Sequence, residues 1–262
     1  MRIPKIMLWA LLAFTAAAGE AQNTGGIDAE MLGRLRDSYK YTAQDKALRN
    51  ALAGTDIQKL AANADVSAEV DGYFSHRVPT KGITDQQSSG RCWLFSGMNV
   101  LRAKMMAEHD LPECEFSQVY CFFYDQLEKA NLFLQGVIDT RNRPMDDKMV
   151  EWLFKNPLSD GGQFTGVSDI IGKYGLVPRE VMNETYSANN TARIAFLIKL
   201  KLREYGLQLR ELPAKTKASV IEAKKAEMLT TVYRMLALAF GEPPTEFTWT
   251  RKDAKGNPVE TK

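Results

Sequence analysis

Apolar residues along most of this chain recur at the three- and four-residue spacing of amphipathic helices, not at the alternation of strands. From residue 92 to about 108, Leu94, Phe95, Met98, Leu101 and Met105 make one inward stripe. A second helix begins at Ser117 and carries Tyr120, Phe123, Tyr124, Leu127, Leu132 and Leu134, an aromatic face that reads as core. A short helix follows over about 146–154, and another over about 165–174 that ends at Gly175. Two long amphipathic helices come next. One spans about 191–212 with Ile194, Leu197, Leu202, Tyr205 and Leu209 inward, and the other about 216–240 with Ile221, Met228, Val232 and Met235 inward. They are expected to pair as a hairpin through Pro213. Ahead of all these, residues 22–70 read as short helices, with Thr42-Ala-Gln-Asp45 as a capping box, and residues 74–83 as extended chain punctuated by Pro and Gly. Residues 247–258 alternate and then turn like the start of a β-hairpin. A chain that opens a sheet there is expected to need more sheet to complete it.

The composition suits a globular chain with a sizeable core: 262 residues, 45% hydrophobic, formal net charge +2. Such a charge balance argues against a dedicated nucleic-acid binder. At the N-terminus, Arg2 and Lys5, the apolar run 6–14 and the small-residue run 15–21 form the three zones of a secretory signal peptide, with cleavage expected after Ala18 or Ala21. The apolar run is shorter than the roughly 20 residues that a membrane span needs. Export to a periplasmic or extracellular location is therefore expected.

Three cysteines, Cys92, Cys114 and Cys121, are few for an exported disulfide scaffold, and an odd number leaves at least one thiol free. Cys121 stands in the apolar run 119–124 and reads as core. A Cys114–Cys121 bridge is the open alternative, although helix geometry points the two apart.

Candidate chemistry centres on Cys92. The polar approach Gln86-Gln-Ser-Ser-Gly-Arg runs straight into a helix whose first residue is this thiol. A thiol at a helix N-terminus faces unpaired N–H groups and the positive end of the helix dipole, a position that favours a nucleophilic thiolate. The side-chain amide of Gln86, six residues upstream, can turn back to donate to an oxyanion, as acyl transfer requires. The alternative is a buried structural Cys beside a core Trp; a polar turn delivering the Cys from solvent argues against it. Gly161 and Gly162, in the turn 156–164, allow another backbone to approach closely. His109 reads as a charge at the far end of the Cys92 helix, and His76 as part of the extended lead. Two sequons, at Asn183 and Asn189, occur readily by chance. The basic positions Arg193, Lys199, Lys201, Arg203 and Arg210 read as a solvated face, or as a surface that attracts polyanions in an assembly. No metal-ligand cluster, phosphate loop or cofactor motif stands out.

These blocks together resemble the papain-like cysteine peptidases of the bleomycin hydrolase and aminopeptidase C branch. The Cys92 segment is followed in order by Glu115-Phe-Ser-Gln118, by Asp160-Gly-Gly-Gln163 with Lys173-Tyr-Gly-Leu-Val-Pro178, and by Pro243-Pro-Thr-Glu-Phe-Thr-Trp249. The resemblance covers about residues 70–262. It implies an α+β, papain-like fold, in which a mostly helical lobe with helical insertions is present and the β-barrel lobe is largely missing. The implied organisation is a signal peptide (1–21), an N-terminal helical segment (22–70), the helical lobe (71–186), an insertion (187–243) and the start of a β lobe (244–262). It further implies Cys92 as nucleophile, Gln86 as oxyanion donor, and Gly161 and Gly162 as the strand that receives a peptide substrate. No metal or cofactor is implied, and the branch assembles as a homo-hexameric ring. The His and Asn that complete such a site lie far downstream in the family, and no His follows His109. The implied function is cysteine-type, aminopeptidase-like hydrolysis of peptides through half an active site. The alternative is a catalytically inactive truncated scaffold or partner-binding module.

Overall fold

The computed structural model describes residues 26–68, 71–78, 80, 82–109, 111, 113–253 and 255–261. The signal peptide expected over residues 1–21 lies outside them. Among the described residues, no helix is long and apolar enough to cross a membrane. The chain divides into two units, between Ser75 and His76.

Among the described residues, the first unit holds four short helices: α1 (Ala29–Ser38), α2 (Ala43–Gly54), α3 (Ile57–Leu60) and α4 (Ala64–Ala68). The expected capping box opens α2: the Thr42 N–H donates to Asp45 Oδ2 at 2.7 Å, and the Asp45 N–H donates to Thr42 Oγ1 at 3.2 Å. Two N–H groups that helix geometry leaves unpaired are satisfied in this way.

The second unit contains α5 (Cys92–Glu108), α6 (Gln118–Thr140), α7 (Lys148–Lys155), α8 (Phe164–Tyr174), α9 (Tyr186–Asn189), α10 (Thr191–Arg210) and α11 (Ala218–Phe240). A two-stranded antiparallel hairpin, β1 (Trp249–Lys252) with β2 (Pro258–Thr261), follows in the register Trp249 to Thr261. The unit is mostly helical, with little sheet.

Helix α6 is the hub of the core. Phe122 and Phe123 are neighbours in sequence and both are fully buried, so this helix is enclosed on more than one face. Its rings meet a different neighbour in each direction. Phe122 packs on Phe240 and Phe123 on Tyr233, both in α11; Tyr124 stacks on Tyr174 of α8 at 3.9 Å; Phe133 meets Phe154 of α7 edge-on. At its start, Ser117 accepts the Tyr120 N–H as N-cap and donates its hydroxyl to the Met182 carbonyl at 2.6 Å. The segment before it pairs with the chain after α8, the Ser117 N–H reaching Val177 O and the Arg179 N–H reaching Glu115 O.

Two details of the inward faces differ from the sequence reading. Leu132 of α6 and Leu197 of α10 both face solvent. In the second half of α6 the buried positions are Ala130, Phe133, Leu134, Val137 and Thr140, and Leu132 falls outside that arc. On α10 they are Thr191, Ala195, Ile198, Leu202, Gly206 and Leu209. Small residues at 195 and 206 let α10 come close to its neighbours; a Cβ at 206 would stand 2.9 Å from the Phe154 ring. Close approach, more than side-chain size, selected the buried stripe. Helices α10 and α11 do touch, but each packs more extensively on α6 than on the other. The expected hairpin is thus two arms laid on a shared central helix.

Two of the five basic positions of α10 are used on neighbouring helices. Arg203 donates to the Phe154 and Lys155 carbonyls at the end of α7, and Arg210 to the Thr140 and Arg143 carbonyls at and beyond the end of α6. Cations at these positions satisfy carbonyls that helix ends leave unpaired. Lys201 pairs with Glu204.

Leu202 is fully buried against this hub, whereas Leu132 is 69% exposed. In urea denaturation, Leu202→Ala should lower stability by about 2–5 kcal/mol, and Leu132→Ala should stay within about 0.5 kcal/mol of the parent. Equal losses would mean that the core is not organised as described.

Candidate active site

The loop that delivers Cys92 is built from short-range turns closed by long-range anchors. Asp85 accepts the Gln87 N–H at 2.8 Å and the Gln87 side-chain amide at 2.8 Å, and Gln87 takes a left-handed conformation, with φ of 55°. The next turn is reciprocal: Gln86 Nε2 donates to the Ser89 carbonyl at 2.6 Å, and the Ser89 hydroxyl donates to the Gln86 carbonyl at 2.6 Å. Ser88 bridges to Asn190 in a single parallel backbone contact.

Two anchors fix the end of this loop. The Gly90 N–H donates to Asp160 Oδ2 at 2.9 Å, and the same oxygen accepts the Thr191 hydroxyl at 2.8 Å. A Cβ at residue 90 would lie 2.5 Å from the Asp160 carboxyl carbon, so only glycine allows this approach. The second anchor is Arg91, whose side chain is fully buried. Its NH1 contacts both Glu184 oxygens, at 3.0 and 2.8 Å; its Nε donates to the Ser89 hydroxyl at 2.9 Å, and its NH2 to Asn189 Oδ1 at 3.4 Å. The guanidinium lies over the rings of Phe95 and Phe122. Burial pushes its pKa below the ordinary arginine value, and the Glu184 carboxylate opposes that shift.

Arg91 turns inward and Cys92 outward. Arg91 is the N-cap of α5, its carbonyl accepting the Leu94 and Phe95 N–H groups, and Cys92 is the first helical residue with an exposed thiol. Cys92 and the half-buried Gln86 line one open cleft of about 370 Å³ together with Thr84, Phe95, Ser96 and Asn99. Asn99 donates to the Thr84 hydroxyl at 2.7 Å across the floor of the approach. The helix start, the thiol and a side-chain amide therefore converge on one solvent-open space. A larger groove of about 490 Å³ between α6, α8 and α11 is lined by Glu128, Lys173 and Tyr174 and by no cysteine.

Gly161 and Gly162 are both exposed and reach the site through Trp93, the residue after Cys92. A Cβ at 162 would lie 2.6 Å from the indole, so this backbone rests directly on the ring. The Trp93 Nε1–H donates to the Asp160 carbonyl at 3.0 Å. From α6, Lys129 Nζ donates to the Gly161 carbonyl at 2.7 Å and the Ser159 carbonyl at 3.0 Å while pairing with Asp125 at 2.8 Å, and Gln126 adds a bond to Ser159 O. Burial pushes the Asp125 carboxyl up, with Lys129 opposing. Asp160, Arg91, Glu184 and Lys129 are the contributors that the sequence reading did not single out. Their long-range partners are 30 to 98 residues away, a separation that no local pattern reports.

The other cysteines stand apart from this chemistry. All three thiols are free, so no Cys114–Cys121 bridge forms. Cys114 lies against Met105 and Cys121 faces the Gly175 carbonyl. Burial pushes the Cys114 thiol up and the Cys121 thiol up to about 12. His109 closes the far end of α5 as its C-cap. Of the sequons, Thr185 is the N-cap of α9, Thr191 holds Asp160, and Asn189 accepts from Arg91. Among the described residues, no group of His, Cys, Asp and Glu is placed to hold a metal ion.

Comparison with known proteins converges on one lineage. The sequence model of the Peptidase C1-like family matches residues 26–261. Aminopeptidase C of Lactobacillus delbrueckii subsp. lactis is 38% identical over 209 residues, which is 79% of this chain and 46% of that protein. Bleomycin hydrolase of Homo sapiens is 33% identical over 241 residues, 90% of this chain and 53% of that protein. The crystal structure of PepW from Lactobacillus rhamnosis superposes with a TM-score of 0.83 at 36% identity, over 90% of this chain and 53% of that one. The chain thus spans about half the length of the curated relatives it matches.

Removing Glu184 leaves the Arg91 cation buried without its counter-charge. Glu184→Ala should cost about 3–5 kcal/mol in urea denaturation. A loss under about 1 kcal/mol would show that the pair does not anchor the loop.

Proposed function

We propose that this chain, which belongs to the Peptidase C1-like family, carries the nucleophile side of a cysteine-type, aminopeptidase-like peptidase acting on peptides. The observation that carries the reading is the shared cleft: an exposed thiol at the first residue of α5 and the Gln86 side chain on the same wall. In the proposed reaction the Cys92 thiolate attacks the scissile carbonyl. The S–C bond forms, and the C=O pair moves to an oxyanion held by the Cys92 N–H and the Gln86 amide. The oxyanion then collapses, the C–N bond breaks as the amine leaves with a proton from an imidazolium, and water hydrolyses the thioester. Gly161 and Gly162 are proposed to offer substrate a bare backbone, a role to which the exposure of both and the seat of Gly162 on the Trp93 ring are suited.

The imidazole and its orienting Asn are proposed to come from outside these 262 residues. Of the two histidines, His109 caps the opposite end of a 17-residue helix, about 25 Å along its axis from Cys92. His76 opens the extended lead 16 residues before Cys92. The alternative reading is a non-catalytic scaffold or partner-binding module. Export through residues 1–21 and homo-oligomeric assembly complete the proposal. The outward residues Phe196, Leu200 and Leu207 of α10 offer a surface for assembly.

Only a thiolate attacks; burial pushes the Cys114 and Cys121 thiols up and covers both, whereas Cys92 is exposed. A thiol-reactive peptidyl inhibitor should therefore label the folded chain at one position. Labelling should vanish in Cys92→Ala and persist in Cys114→Ala; persistence in Cys92→Ala would overturn the assigned nucleophile, and no labelling of the parent would favour the scaffold. The purified 262-residue chain should not hydrolyse aminoacyl amides, and turnover that survives purification and is lost in Cys92→Ala would refute the external base.

A further inference from the structure

The cleft described above contains a side-chain amide whose aim has to be set by something. An amide nitrogen carries two N–H groups. In Gln86 one of them is fixed on the Ser89 carbonyl at 2.6 Å, which leaves the other for an oxygen in the cleft. Ser89 is itself held twice through its hydroxyl, which donates to the Gln86 carbonyl at 2.6 Å and accepts from Arg91 Nε at 2.9 Å. Arg91 is immobilised by Glu184, by Asn189 and by two aromatic faces. Hydrogen bonds from the ion pair thus reach the Ser89 hydroxyl and, through it, the Gln86 main-chain carbonyl, while the Gln86 amide itself rests on the Ser89 main-chain carbonyl.

We infer that Ser89, clamped by the Arg91–Glu184 pair, is a positioning residue that aims the Gln86 amide at the oxygen of a tetrahedral adduct on Cys92. The inference rests on the reading of Cys92 as nucleophile and Gln86 as oxyanion donor, and goes beyond it by assigning what holds the donor in place. Free rotation of a glutamine side chain spreads its amide over several rotamers, and a donor displaced by about 1 Å loses most of its value to a developing charge. The reciprocal turn removes that freedom before any substrate arrives. Ser89 is not among the residues that line the cleft, so its effect should pass entirely through Gln86.

Two reagents separate this role from a general structural one. A peptidyl aldehyde adds the Cys92 thiol across its carbonyl: the S–C bond forms, the oxygen takes the proton, and the adduct oxygen needs the donor. Iodoacetamide alkylates the same thiol by displacing iodide and creates no oxyanion. On the full chain, with Cys114 and Cys121 buried, Ser89→Ala should weaken aldehyde binding roughly tenfold while the iodoacetamide rate at Cys92 changes less than about twofold. Ser89→Thr, which keeps the hydroxyl, should recover most of that affinity. In a Gln86→Ala background, Ser89→Ala should have no further effect on the aldehyde. The inference is overturned if Ser89→Ala leaves aldehyde affinity unchanged, if both reagents lose equally, or if the Ser89 effect persists without Gln86. Aldehyde binding by the parent that survives in Cys92→Ala would instead overturn the nucleophile reading itself, and this inference with it.

Discussion

The buried ion pair between Arg91 and Glu184 is the constraint from which the geometry of the site follows. Taking a guanidinium out of water costs several kcal/mol unless its charge and its donors are satisfied where it ends up. Here two carboxylate oxygens, a hydroxyl, an amide oxygen and two aromatic faces meet that demand. Any displacement of the loop would leave part of this charge uncompensated, so the loop has one low-energy position. Because Arg91 caps α5 and immediately precedes Cys92, that position also fixes where the thiol emerges and how the first helical N–H groups face the cleft.

A second constraint acts from the Asp160 turn. Its carboxylate holds the Gly90 N–H and the Thr191 hydroxyl, its carbonyl holds the Trp93 indole, and Lys129 and Gln126 hold the carbonyls beside it. The turn that presents Gly161 and Gly162 and the loop that presents Cys92 are therefore locked to each other and to α6. Helix α6 can act as this common base because it is enclosed by α7, α8, α10 and α11, each reached through rings or close contacts of its own. The core here has a task beyond stability. It holds three polar segments, far apart in the chain, within hydrogen-bonding distance of one another.

Much of this was legible in the residue order. The capping box at Thr42, the start of α5 at Cys92, the N-cap at Ser117, the end of α8 at Gly175 and the terminal hairpin are all local signals, governed by caps and periodicity within a few residues. The nucleophile candidate and its amide six residues upstream are equally local. The inward faces of α6 and α10 were legible only in part. Apolar size points to Leu132 and Leu197, but the face that is buried depends on which helix can come closest, and that is decided by Ala195, Gly206 and the rings opposite them.

By itself, the sequence determined the elements, the thiol at a helix start, the neighbouring amide and the family to which these belong, because each depends on interactions spanning a few residues. Only the tertiary structure decided that Arg91 is buried, that Glu184 is its partner, that Arg203 and Arg210 of α10 cap other helices, and that Ser89 ties the ion pair to the Gln86 main chain. These are matters of charge compensation across tens of residues of chain. A buried charge accepts whatever partner the packing brings to it, and nothing in the local order of residues names that partner in advance.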